Sequence, residues 1–164
     1  EKVDRETMRE IVDIARWAPS WVNYQIARYT LVDDEEIIKE IAEHGVNGFV
    51  YNIDTLRTAK GVAVLSFVKG KSGTYDKEYI TSKGNSWEVF DAGIACQTFC
   101  LAAHAKGVGT CIMGVIDDKS IAKIVNLPED ETVAALIVYG YEDGEHAAPN
   151  KRKDVDEIMR FVDR

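Results

Sequence analysis

The 164 residues are 46% hydrophobic and 29% charged, with 12 glycines and 3 prolines, a balance that excludes a disordered or fibrous chain and fits a single globular domain over residues 1–164. Twenty Lys and Arg against 28 Asp and Glu leave a net charge of −8, with no dense basic stripe to neutralise phosphates, so nucleic acid is not expected as a partner. Cys96, Cys100 and Cys111 are an odd set in a chain large enough to need no covalent staples, which predicts reduced thiols and a cytoplasmic protein. No apolar run reaches the roughly 18 residues of a membrane helix, so a membrane partner is not expected either.

Asp4 is placed to cap a helix whose apolar residues Met8, Ile11, Val12, Ile14, Ala15 and Ala18 recur at helical spacing until Pro19 ends it. Residues 29–32 read as a short strand, Asp33 or Asp34 as the cap of a second helix carrying Ile37, Ile38 and Ile41, and Gly45 as its stop. A short helix is expected within residues 47–58. Val62-Ala63-Val64-Leu65-Ser66-Phe67-Val68 is a run of β-formers without alternation, the mark of a central strand buried on both faces. Residues 69–85 form a polar excursion holding Gly70, Gly73 and Gly84, long enough to suggest a functional loop.

Residues 86–106 predict a helix that is apolar nearly all the way round, with Trp87, Phe90, Ile94, Leu101 and Ala105 on one side and Val89, Ala92, Cys96, Phe99 and Ala103 on another. One sheet can cover only one side of such a helix, so a large core or a second subunit must cover the rest, and Ala95 is assigned to the face that meets the partner. Gly107 supplies the stop. A short strand near Cys111, a helix over residues 119–125, a strand over 132–141 and a charged helix over 153–162 complete the chain.

Several motifs fall away on chemical grounds. Gly70-Lys71-Ser72 imitates the end of a phosphate loop, but the first glycine of that motif would fall at Leu65, inside the strand, and no strong helix follows. No Gly-x-Gly-x-x-Gly fingerprint exists. Cys96, Cys100 and His104 share one helical stripe with ligand-like spacing, yet Ile94, Phe99, Leu101 and Ala103 surround them, and packing is the better reading, with no metal expected. His44, His104 and His146 are scattered, and no nucleophile or carboxylate pair with catalytic spacing stands out.

Three segments retain unusual chemistry. Ala18-Pro19-Ser20-Trp21-Val22-Asn23-Tyr24-Gln25 mixes hydroxyl and amide groups with aromatics, suited to a planar polar ring. Gly107-Val108-Gly109-Thr110-Cys111-Ile112-Met113-Gly114 lets backbone approach a ligand closely. Lys151-Arg152-Lys153 is a compact cationic cluster in an acidic chain.

In this order and spacing the segments resemble the FMN-dependent nitroreductase family. The resemblance runs over residues 3–162 through Ala-Arg-x-Ala-Pro-Ser-x-x-Asn-x-Gln at 15–25, Asp91-Ala92-Gly93-Ile94-Ala95, Ala102-Ala103-His104-Ala105-Lys106-Gly107-Val108-Gly109-Thr110 and the tail from Gly140-Tyr141 to Lys151-Arg152-Lys153. It implies an α+β fold, a mixed sheet flanked by helices, in a homodimer with a long buried central helix and FMN in two grooves between subunits. Pro19, Ser20 and Trp21 then look like a loop reaching the partner's flavin, braced by Asn23 and Gln25. Asn52 looks like a contact to the edge of the isoalloxazine. Ile112, Met113 and Gly114 look like the segment along the ring, with a backbone amide toward N5, and Lys151 and Arg152 like a phosphate clamp.

Departures from the pattern are specific. The sequence opens after the point where the family's arginine-rich start, which binds the FMN phosphate, is expected. The usual Gln-Pro-Trp is Gln25-Ile26-Ala27, and a lysine three positions after the asparagine is Thr55, leaving Arg57 as a substitute cation. The implied activity is hydride transfer from NADH or NADPH through the flavin to a flat acceptor such as a nitroaromatic or a quinone, with catalysis carried by the cofactor and no protein acid or base. The alternative is a non-enzymatic flavin-binding or redox-sensing member of the same fold.

Overall fold

The computed structural model describes residues 1–144 and 148–162; His146 lies outside them. Helix α1, Arg5–Ala15, starts where the Asp4 carboxylate accepts the Thr7 amide at 2.9 Å, and it buries Met8, Ile11 and Ala15. The helix ends short of the expected limit at Pro19. Residues 16–18 tighten into turns, with Trp17 N–H donating to Ile14 O and Ala18 N–H to Ala15 O, and helical backbone is disfavoured next to the proline.

Strand β1, Ala27–Val32, leads to α2, Glu35–His44. Asp34 is the cap of α2, accepting the Glu36 and Ile37 amides, while Asp33 is taken by Arg5 at 2.7 and 2.8 Å, which settles the choice between the two aspartates. The Arg5 guanidinium holds the Asp33 carboxyl below the usual carboxylate range. Helix α3, Val50–Thr58, precedes the central strand β2, Gly61–Val68. The excursion carries a two-strand hairpin, β3 at Thr74–Tyr75 and β4 at Glu78–Tyr79, and then come α4, Ser86–Ala105, β5, Gly109–Met113, α5, Asp118–Ile124, β6, Glu131–Gly140, and α6, Val155–Ile158.

The main sheet has the order β1-β2-β6-β5, antiparallel at each pairing. Alternation along β2 builds both halves of the core. Ala63 and Leu65 pack with Met8 and Ile11 of α1 and Phe99 and Ala103 of α4, whereas Val62 and Val64 pack with Ile38 and Ile41 of α2, Leu56 of α3 and Ile121 of α5. The expected α+β architecture, a sheet flanked by helices, is therefore the one observed.

Helix α4 turns Ala92, Ala95, Cys96, Phe99, Ala102 and Ala103 inward and leaves Val89, Phe90 and Leu101 at 61%, 58% and 60% exposure. Ala95 is thus part of its own subunit's core, and its carbonyl accepts the Tyr29 hydroxyl at 3.0 Å; the uncovered face is the one bearing Val89, Phe90 and Leu101. Gly107 ends the helix with φ of 73°. The helix expected over 153–162 is only the single turn of α6, because none of its residues is buried and Met159 leaves it in extended conformation. Helices this short do not persist on propensity alone.

Gly61 opens β2 against the buried Tyr139 ring, where an added Cβ would stand 2.2 Å from a ring carbon. Gly61→Ala is expected to lower stability by about 1–3 kcal/mol in urea unfolding, as overpacking does, and the loss should shrink when Tyr139 is also replaced by leucine.

Candidate functional site

Among the described residues, strand β5 is an edge strand, paired with β6 alone. At its end Met113 is buried in the core, Ile112 faces out, and an added Cβ on Gly114 would meet nothing within 4 Å. Outside the sheet ladder, the amides of Gly114 and Val115 donate to nothing among the described residues. The chain here is nevertheless fixed. Asn52 of α3, 9% exposed, donates its side-chain amide to Val115 O at 2.9 Å, and Asn47 does the same to Ile116 O at 2.9 Å. Asp117 then donates its amide to Gly45 O and caps α5. Amides without loop partners among the described residues, open space over a glycine and an exposed aliphatic side chain thus lie together on a braced segment.

The loop after α1 is built on different supports. The Ser20 hydroxyl accepts the Gln25 amide at 2.8 Å, and Gln25 reaches the Asn23 carbonyl at 3.4 Å, so Ser20 is the closer brace. Trp21 donates its backbone amide to Asp91 and its indole N–H to Thr74 O, and its ring packs 5.0 Å from that of Trp87. Pro19 and Asn23 are exposed. No hydrogen bond or ring contact joins this loop to Asn52 or to residues 112–114 among the described residues, so one chain does not bring the two groups into contact.

Lys151 and Arg152 are exposed, and Arg152 donates back to the carbonyls of Asn150 and Lys151; neither cation forms an ion pair among the described residues. Arg57 pairs with Asp54 at 3.4 Å and lines a cleft with Glu36, Lys39 and Lys60. Five positions beyond Asn52, it sits on another face of α3 and does not share the asparagine's surroundings. Cys96 is buried, Cys100 half-buried and Cys111 exposed. The Cys96 thiol is pushed up by Cys100 and by burial, while Cys100 is lowered by its neighbours Cys96 and Thr110.

Sequence reasoning gave Glu88 and Asp91 no role in the site, Asp91 entering only as part of a motif. Both are 4% exposed and carry loop contacts, Glu88 accepting from Gly70, Lys71 and Tyr79, and Asp91 from Trp21 and Ser72. The available signal was two carboxylates three residues apart on an otherwise apolar helix.

The nitroreductase family model matches residues 1–141. This chain belongs to the nitroreductase family. An oxygen-insensitive NADPH nitroreductase of Helicobacter acinonychis is 23% identical, with 82% of this chain and 76% of that protein covered. Among solved structures, a nitroreductase family protein from Streptococcus pneumoniae TIGR4 aligns with a TM-score of 0.83 at 21% identity, covering 99% of this chain and 92% of that one. An FMN-dependent nitroreductase from Clostridium difficile R20291 aligns with a TM-score of 0.76 at 25% identity, covering 98% and 89%.

The end of β5 suits a flat, partly polar ring. Gly114 leaves room for close approach, the neighbouring amides are donors without loop partners, and Ile112 offers an apolar surface. Asn52→Ala is expected to remove the tie to Val115 and cost about 1 kcal/mol, with faster amide hydrogen exchange confined to residues 114–117 as the distinguishing readout.

Proposed function

We propose that this protein is an NAD(P)H-dependent FMN oxidoreductase, acting as a homodimer on flat acceptors such as nitroaromatics or quinones. The observation that carries the reading is the open, braced end of β5 beside Asn52 in a chain of this family. When bound, FMN would supply the redox chemistry, hydride transfer between NAD(P)H and the acceptor.

The chain's own residues bind and orient. Gly114 admits the ring to the backbone, its amide donates to the ring, Ile112 offers the apolar floor, and Met113, buried in the core, fixes the position of the segment. Asn52 spends its amide hydrogen on Val115 and keeps its side-chain oxygen for a donor on the ring edge. Lys151 and Arg152 hold the phosphate, for which a planar, permanently charged guanidinium is suited. Pro19, Ser20, Trp21 and Asn23 come from the second copy of the chain. The exposed apolar side chains Val89, Phe90 and Leu101 of α4 favour that copy, since uncovered apolar surface on a helix calls for a partner.

Rapid mixing of the flavin-loaded protein with NADH or NADPH should bleach the flavin absorbance within seconds, and a spectrum that persists for many minutes would favour the non-enzymatic reading. Arg152→Ala should weaken FMN binding by about 1.5–3 kcal/mol while riboflavin binding changes little, which paired titrations check. Leu101→Glu places a charge on the uncovered face of α4, costly to bury but tolerable on a free surface. Sedimentation should find this variant monomeric, with weakened FMN binding.

A further inference from the structure

We propose that Asp91 is a positioning residue, the joint that ties the Pro19-Ser20-Trp21 loop to the excursion of residues 69–85 and so holds that loop in the shape the flavin site requires; this rests on the flavin reading above. Carboxylates buried on an apolar helix are costly unless donors surround them, and neither Glu88 nor Asp91 is in an ion pair among the described residues. Their donors come from two loops. One oxygen of Asp91 accepts the Trp21 amide at 2.9 Å and the hydroxyl of the buried Ser72 at 2.5 Å, so one side chain bonds both segments. One turn earlier Glu88 accepts the Gly70 amide at 2.5 Å, the Lys71 amide at 3.3 Å and the Tyr79 hydroxyl at 3.1 Å, closing the excursion onto α4.

The loop cannot be expected to keep its shape unaided. Val22, Asn23 and Gln25 have φ of 47°, 56° and 50°, the left-handed region, which is unfavourable for a β-branched residue such as valine. Such backbone persists only where its surroundings over-determine it. Here those surroundings are Ser20 on the Gln25 amide, Asp91 on the Trp21 amide, Thr74 O on the indole N–H and the Trp87 ring. Loss of Asp91 removes the bond at the loop's entry and frees Ser72 at once, so the two segments should loosen together.

The test uses full-length protein and three variants, Asp91→Ala, Asp91→Asn and Ser72→Ala, with two readouts: amide hydrogen exchange without flavin, and titration with FMN. In Asp91→Ala, exchange should accelerate together in residues 19–25 and 69–74 with β2 and β6 unchanged, and FMN should bind roughly tenfold more weakly or worse, the scale of a lost hydrogen bond to a charged group. Asp91→Asn keeps an oxygen for the Trp21 amide and should recover most of both, which a general loss of stability would not produce. Ser72→Ala should loosen 69–74 more than 19–25, and it carries the test if Asp91→Ala does not fold. Unchanged exchange and FMN affinity in the folded variants, beside a wild type that binds FMN, overturn the proposal alone. A wild type that takes up no FMN overturns the flavin reading and the proposal with it.

Discussion

Burial of β2 on both faces is the constraint on which the rest of the fold depends. A strand with Val62 and Val64 on one face and Ala63 and Leu65 on the other needs apolar cover on both sides, and the helices divide accordingly, α1 with α4 and α2 with α3 and α5. That division also sets the candidate site. With β2 and β6 central, β5 falls at an edge, and one of the helices that cover the second face, α3, carries the Asn52 that reaches across to hold Val115. The core and the braced segment follow from one arrangement.

Helix α4 has two tasks that its composition keeps apart. Its small inward residues, Ala92, Ala95, Ala102 and Ala103, let it lie close to the sheet with Phe99 filling the remaining space. Its N-terminal half replaces apolar contacts with Glu88 and Asp91, which are satisfied by loop amides and hydroxyls. Buried charge of this kind is weak evidence for stability. Its effect is to give two irregular loops fixed attachment points on a rigid element.

Most elements were legible because local signals agreed with the global fold. Asp4 and Gly107 mark helix ends by side-chain and backbone chemistry that acts within a few residues, and the apolar run of β2, interrupted by Ser66 alone, announces burial on both faces. What escaped was non-local. No pattern within the chain says that Asp91 meets Trp21, 70 residues away, or that Ala95 turns inward, since a helix apolar all round gives no direction to its faces. The tail failed for the opposite reason. Its charged, helix-compatible residues carry a propensity that no packing in the single chain reinforces, so only one turn forms.

That failure bears on the proposed phosphate clamp. Lys151 and Arg152 precede a segment in which Val155, Ile158, Phe161 and Val162 are all exposed, Phe161 at 82%, so among the described residues the tail that carries the cations buries no apolar side chain against the rest of the chain. A cation on an unanchored tail must be ordered when the phosphate binds, and that ordering subtracts from affinity. Covering those apolar side chains with a second copy would remove the cost before the cofactor arrives. On the proposed reading, a clamp at Lys151 and Arg152 would call for the homodimer, and the exposed face of α4 and the exposed tail would be two parts of the surface that such a partner covers.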